Sequence, residues 1–182
     1  MSRLTARMTH LGLACFDRDA MEAFYRRTIG MVVTDRGVAS GGPEIVFMTA
    51  DPSEHHQLVL APGRPEGSPS IIGQISFLVD SLASLRAHYE RNKAAGVEKL
   101  MTKNHGNAYS IYFMDPEGNK VEIYCHTPWY VSQPHNTPLD FSLTDEEIEA
   151  QTEELVRKDP TFRTRAEWQA ALAERLARGE QD

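Results

Sequence analysis

His10-Leu-Gly-Leu-Ala-Cys-Phe-Asp-Arg-Asp-Ala-Met-Glu-Ala-Phe-Tyr25 and Gln74-Ile-Ser-Phe-Leu-Val-Asp-Ser-Leu-Ala-Ser-Leu-Arg-Ala-His-Tyr89 decide the fold when one is set above the other. The two stretches stand 64 residues apart, and the apolar pairs Leu11/Ile75, Leu13/Phe77, Ala14/Leu78, Met21/Leu85, Ala23/Ala87 and Tyr25/Tyr89 fall into register. Each copy opens with an apolar run of strand length. It then passes an aspartate suited to starting a helix (Asp17 or Asp80) and continues with an apolar face at helical spacing. Each predicted helix runs out at a glycine, Gly30 or Gly96, where a left-handed cap is favoured.

Outward from this repeat, each copy carries three more strand candidates. They are Met31–Thr34, Glu44–Thr49 and His56–Leu60 in the first, and Val97–Met101, Tyr109–Met114 and Lys120–Cys125 in the second. Asp115-Pro-Glu-Gly-Asn119 reads as a turn, and Ala61–Ser70 as a proline- and glycine-rich linker. The predicted class is α+β: two βαβββ modules, 8–61 and 71–126, forming one domain over 1–126. A single module leaves one sheet face bare, so the pair is expected to close around a shared cleft. Residues 127–182 read as a proline-containing extension and a two-helix tail, with capping-box starts at Thr144-Asp-Glu-Glu147 and Thr164-Arg-Ala-Glu167. The tail is expected to brace the body or a dimer partner.

Bulk properties narrow the function. Among 182 residues, 41% are hydrophobic and 25% charged, an ordinary globular balance. A net charge of −7 without a dense basic block argues against nucleic acid and anionic membrane as partners. No apolar run reaches membrane-span length and no signal-peptide pattern opens the chain. Cys15 and Cys125 match neither a disulfide framework nor a zinc spacing, so a reduced, cytoplasmic protein is expected.

The repeat also makes a geometric prediction for chemistry. Matching positions meet at a pseudo-two-fold axis, which brings His10 together with Gln74. At the offset of 66 set by Gly30 and Gly96, Glu122 in Val-Glu-Ile-Tyr is paired with His56. Imidazoles and a carboxylate of this kind bind Fe(II), Mn(II) or Zn(II) with positions left open for substrate. A carboxylate in an apolar strand is costly without a partner. Phe47, Phe77, Tyr109 and Tyr112 are expected to line the pocket, which suits an aromatic small molecule.

The paired modules, Thr9-His-Leu-Gly-Leu13 and Asp115-Pro-Glu-Gly-Asn-Lys-Val-Glu-Ile-Tyr124 resemble the vicinal oxygen chelate superfamily of glyoxalases, bleomycin- and fosfomycin-resistance proteins and extradiol dioxygenases. Within it, the chain looks most like one-domain type I extradiol dioxygenases, which open catechol rings with Fe(II) and dioxygen. The resemblance implies His10, Gln74 and Glu122 as metal ligands. It implies His56 as an acid–base group near dioxygen, with His105 (in Lys103-Asn-His-Gly106) and Tyr112 holding the substrate hydroxyls. Those dioxygenases carry a metal-binding histidine where this chain has Gln74. Glyoxalases use glutamine on a metal, and His56 is an alternative second imidazole. The resemblance therefore also leaves room for a glyoxalase-like isomerase or lyase using Mn(II), Zn(II) or Ni(II), and for a metal-free binding or resistance protein. A homodimer is expected.

Overall fold

The computed structural model describes residues 6–38 and 40–179. The first copy of the repeat forms β1 (Leu11–Cys15), α1 (Arg18–Thr28), β2 (Val32–Val38), β3 (Glu44–Thr49) and β4 (Leu58–Pro62). The second forms β5 (Ile75–Leu78), α2 (Leu82–Ala94), β6 (Met101–Asn104), β7 (Ala108–Met114) and β8 (Lys120–His126). Then come β9 (Trp129–Tyr130), β10 (Thr137–Pro138), α3 (Asp145–Val156), β11 (Arg163–Thr164) and α4 (Arg165–Arg178). The fold is therefore α+β with two βαβββ modules. Their sheets run β1-β4-β3-β2 and β10-β6-β7-β8-β5, so β1 and β5 are both edge strands.

Local chemistry explains most boundaries. Asp17 caps α1 through Oδ1, which accepts from the Ala20 amide at 2.9 Å. The second cap is Ser81 rather than the expected Asp80: Ser81 accepts from the Ser84 amide, while Asp80 accepts from the Ser81 and Ser84 hydroxyls. Gly30 and Gly96 end the two helices at φ 90° and 74°. Both tail capping boxes form. Two strands start later than expected. β6 begins four residues on, after Lys99 turns at positive φ, and β4 begins at Leu58, leaving His56 on the loop before it.

Period-two alternation sorts each strand into two faces. Val121, Ile123 and Cys125 of β8, with Tyr109, Ile111 and Phe113 of β7, point into one core shared with Met21, Phe24 and Tyr25 of α1. Tyr109 is thus a core residue, 1% exposed, and lines neither of the two cavities beside Glu122. Cys15 and Cys125 are free and buried, and burial pushes both thiols up to about 12, which leaves them inert as nucleophiles at neutral pH.

The modules are joined asymmetrically. Glu117, in the β7–β8 turn, has a fully buried carboxylate. It accepts from the amides of Phe16 (2.9 Å) and Asp17 (3.0 Å) and from Arg64 (3.2 Å). Nearby, the Tyr25 hydroxyl donates to Asp115 at 3.0 Å. The end of β1 is therefore docked against the turn that precedes β8.

Candidate active site

Sheet register builds the site. Glu122 of β8 lies opposite Tyr112 of β7 on one side and Ser76 of β5 on the other, so the three side chains form a lateral row on the face away from the core. The Tyr112 hydroxyl donates to Glu122 Oε1. Ser76 Oγ (2.5 Å) and Gln74 Nε2 (3.0 Å) donate to Oε2. Glu122 is 7% exposed, and these three donors satisfy the desolvated carboxylate. Gln74 turns its amide nitrogen to Glu122, so its carbonyl oxygen faces elsewhere.

His105 completes the row. Its Nε2 lies 3.0 Å from the Tyr112 hydroxyl and its Nδ1 2.8 Å from the His135 carbonyl. A carbonyl only accepts, so Nδ1 carries a hydrogen. Tyr112 has one hydroxyl hydrogen for two neighbours. With that hydrogen directed to Glu122, the Tyr112 oxygen accepts from His105 only when Nε2 also carries a hydrogen. Burial, then the bond to Glu122 and its charge, raises the Tyr112 phenol above its ordinary value, so it stays a proton donor.

His10 and His56 form a second group. Their ring centroids are 4.5 Å apart, and His56 Nδ1 lies 2.9 Å from His55 Nδ1, whose other nitrogen meets Asp35 at 2.7 Å. Burial, then the charges of His10 and His55, lowers the His56 pKa. Phe47 stands beside this group, 5.1 Å from His56.

The single chain does not unite the two groups. Among the described residues, no three His, Cys, Asp or Glu side chains are placed to hold one ion. For His56 the register gives the reason: Ser76 lies opposite Glu122 just as Gly12, its counterpart in the repeat, lies opposite Val59. The structural partner of Glu122 is therefore Val59, and His56 falls three residues short. His10 stands at the head of β1, six residues before the Phe16 amide that Glu117 holds. The donor types themselves suit a divalent ion: Glu122 offers a carboxylate, Gln74 beside it an amide whose oxygen reaches the same ion once the amide turns over, and His10 an exposed imidazole.

Two cavities flank the row. One of about 980 Å³ is lined by His10, Gln74, Ser76 and Phe77, the other of about 460 Å³ by Glu122, Tyr112 and His105. The smaller has a wall that sequence reasoning missed. Trp129, Tyr130, Arg165 and Trp168 of the tail line it, as does His126. Tyr130 and Trp168 stack at 5.2 Å and 14°. Trp168, Leu172 and Leu176, which share one face of the last helix at helical spacing, were the available signal, but such a stripe serves a structural brace equally well.

Residues 7–123 match the family model described as the Glyoxalase/Bleomycin resistance protein/Dioxygenase superfamily. The chain belongs to that superfamily. It is 30% identical over 126 residues to biphenyl-2,3-diol 1,2-dioxygenase 3 of Rhodococcus globerulus, covering 66% of this chain and 63% of the relative. To biphenyl-2,3-diol 1,2-dioxygenase 2 of the same organism it is 29% identical over 167 residues, covering 81% and 84%. The chain thus spans under two thirds of the first relative's length and more of the second's. Among solved structures, a variant of the fosfomycin resistance protein of Listeria monocytogenes, complexed with Mn(II) and 1S,2S-dihydroxypropylphosphonic acid, superposes with a TM-score of 0.52. It is 20% identical and the match covers 68% of this chain and 93% of that one, a likeness of fold. Divalent metals therefore occur within this fold, and no helix among the described residues is long and apolar enough to cross a membrane.

Proposed function

We propose that the protein is an extradiol dioxygenase acting on an aromatic vicinal diol with Fe(II) and dioxygen. The observation that carries this reading is the His105–Tyr112–Glu122 row on the floor of an aromatic-walled cavity. Dioxygenation balances between the two substrates: the ring C–C bond beside the diol breaks and both oxygen atoms enter the product. A bound Fe(II) supplies Lewis acidity toward the diol oxygens and a path for electrons from the ring to dioxygen. Tyr112 orients a diol oxygen by hydrogen bonding. His105 passes the diol proton in and out through the Tyr112 hydroxyl, taking it up when its Nε2 carries no hydrogen. The aromatic walls hold the ring and exclude water.

On this reading Glu122 and Gln74 hold the metal with His10 of a second copy, and His56 arrives with that His10 as the acid–base group. Support comes from the edge positions of β1 and β5 and from the exposure of Leu78, 56%, on the β5 edge. Edge strands left open are pairing surfaces, and a two-fold dimer would make two such sites.

The test is anaerobic loading with Fe(II), then addition of a catechol and oxygen. Oxygen uptake with formation of a yellow ring-opened product is expected. Protein that retains iron yet consumes no oxygen with any diol ends the proposal. Shared sites have their own test: His10→Ala and Glu122→Ala chains, each inactive, regain up to a quarter of wild-type activity per chain when refolded together, because one site of a mixed dimer is intact. No recovery in demonstrated mixed dimers rules sharing out. A second reading, binding of a small molecule without metal, is favoured by one observation, the saturation of Glu122 by three donors. Metal analysis of protein purified without chelator separates the two.

A further inference from the structure

Arg165 does not behave like the chain's structural arginines. Arg86 binds Asp145 and the carbonyls of Phe141 and Leu143, and Arg64 binds Glu117 and Ser68. Arg165 is also half-buried, yet its guanidinium has no hydrogen-bond acceptor and no carboxylate within ion-pair distance among the described residues; only its backbone amide is engaged, to the Pro128 carbonyl at 2.8 Å. Withdrawing a guanidinium from water without a partner is unfavourable. The fold gains nothing in return, because a cation in the first turn of α4 opposes the helix dipole.

The side chain instead lines the 460 Å³ cavity, where it is the only Lys or Arg among the lining residues. That volume suits a small organic ligand. The Tyr130–Trp168 stack supplies a flat wall beside it. On the floor, Tyr124 and His126 continue from Glu122 along the same face of β8, about 7 and 14 Å further on. Burial lowers the His126 pKa and the charge of Arg165 lowers it further, so Arg165 stands over the His126 end of the floor while Glu122 and Tyr112 hold the other. The cavity has a polar, proton-handling end, an aromatic middle and a cation that no acceptor among the described residues engages.

From this arrangement we infer that Arg165 is a specificity-determining residue for an aromatic diol bearing a carboxylate on the far side of its ring. The inference rests on the diol reading above and narrows its substrate class. Guanidinium and carboxylate match as planar forks with two parallel hydrogen bonds, which favours a carboxylate over a bulkier anion. The diol for which both relatives are named, biphenyl-2,3-diol, carries no such charge, so the inferred preference distinguishes this chain from them.

The test compares protocatechuate with catechol as ligands of the full chain, loaded with Fe(II) under nitrogen so that no turnover occurs. Binding is read by calorimetry and by quenching of Trp129 and Trp168 emission. Wild type is expected to bind protocatechuate about 10- to 100-fold more tightly than catechol, the range of a hydrogen bond between charged groups. Arg165→Gln is expected to erase that difference and leave catechol binding unchanged, and Arg165→Lys to keep part of it. Since the side chain makes no hydrogen bond or ion pair among the described residues, both variants should melt like wild type. Equal binding of the two ligands by wild type, a preference that survives Arg165→Gln, or no saturable binding of either ligand overturns the inference. Ring opening is not part of this readout. A protein that shows the Arg165-dependent preference but consumes no oxygen would lose the dioxygenase reading and keep this one.

Discussion

The Tyr112 hydroxyl stands between His105 and Glu122, so Tyr112→Phe removes two hydrogen bonds and leaves the ring in place. If this phenol orients and protonates the diol, kcat should fall about 100-fold while iron content and fold persist; unchanged turnover would reduce Tyr112 to a wall residue. His56 offers a second test at this scale. Burial and the nearby His10 and His55 place its folded-state pKa below 6.5. The unfolded chain therefore takes up a proton at higher pH than the folded one. The stability held by a neutral His56 is complete above pH 6.5 and lost as pH falls through the folded-state value. His10→Ala should move the His56 midpoint toward 6.5 in an NMR titration and shrink the fall in urea midpoint between pH 7 and 5. A midpoint that does not move would show that the two rings do not sense each other's charge.

Among the elements, the β6–β7 loop shows how the tail shapes the site. Gly106 has φ +72°, and a Cβ there would lie 2.6 Å from Val131 Cγ2 and 3.1 Å from Val156 Cγ1. The tail also fixes its neighbour His105, through the His135 carbonyl and through Gln133, which donates to the His105 carbonyl at 2.9 Å. Gly106→Ala should cost about 1–3 kcal/mol from positive-φ strain and overpacking, read in a thermal melt, and should lower turnover by pulling His105 off Tyr112. How far this was legible in the sequence depends on the element. Tyr112 and Glu122 were readable as a pair because a tight turn, Asp115–Asn119, puts residues ten apart opposite each other in a hairpin. The repeat and its glycine stops were equally plain. The start of β4 was not: the run from His56 has strand composition throughout, and only pairing with β1 places its first residue at Leu58. Nor was the tail's part in the cavity, since Trp168 at helical spacing looks the same whether it meets a partner protein or Tyr130.

For the whole molecule, the decisive quantity is how one module sits on the other, and that was hidden because no periodic pattern encodes it. It resides in a few contacts, chiefly the buried Glu117 carboxylate, which receives Phe16, Asp17 and Arg64. These contacts dock the far end of β1, whose other end presents His10. Glu117→Ala leaves Arg64, 11% exposed, without its carboxylate and strands two amides at the head of α1. Breaking a buried pair on one side costs about 3–5 kcal/mol, so at about 2–4 °C per kcal/mol for a chain of this size the melting temperature should drop by roughly 6–20 °C. Glu117→Gln, which keeps an acceptor oxygen for the amides but loses the charge facing Arg64, should fall between Glu117→Ala and wild type. If this docking also fixes where His10 is presented, Glu117→Ala should weaken iron retention at temperatures where the chain is still folded, although Glu117 touches none of the metal-ligand candidates. Iron retention equal to wild type in the folded variant would mean that module docking and metal binding are independent.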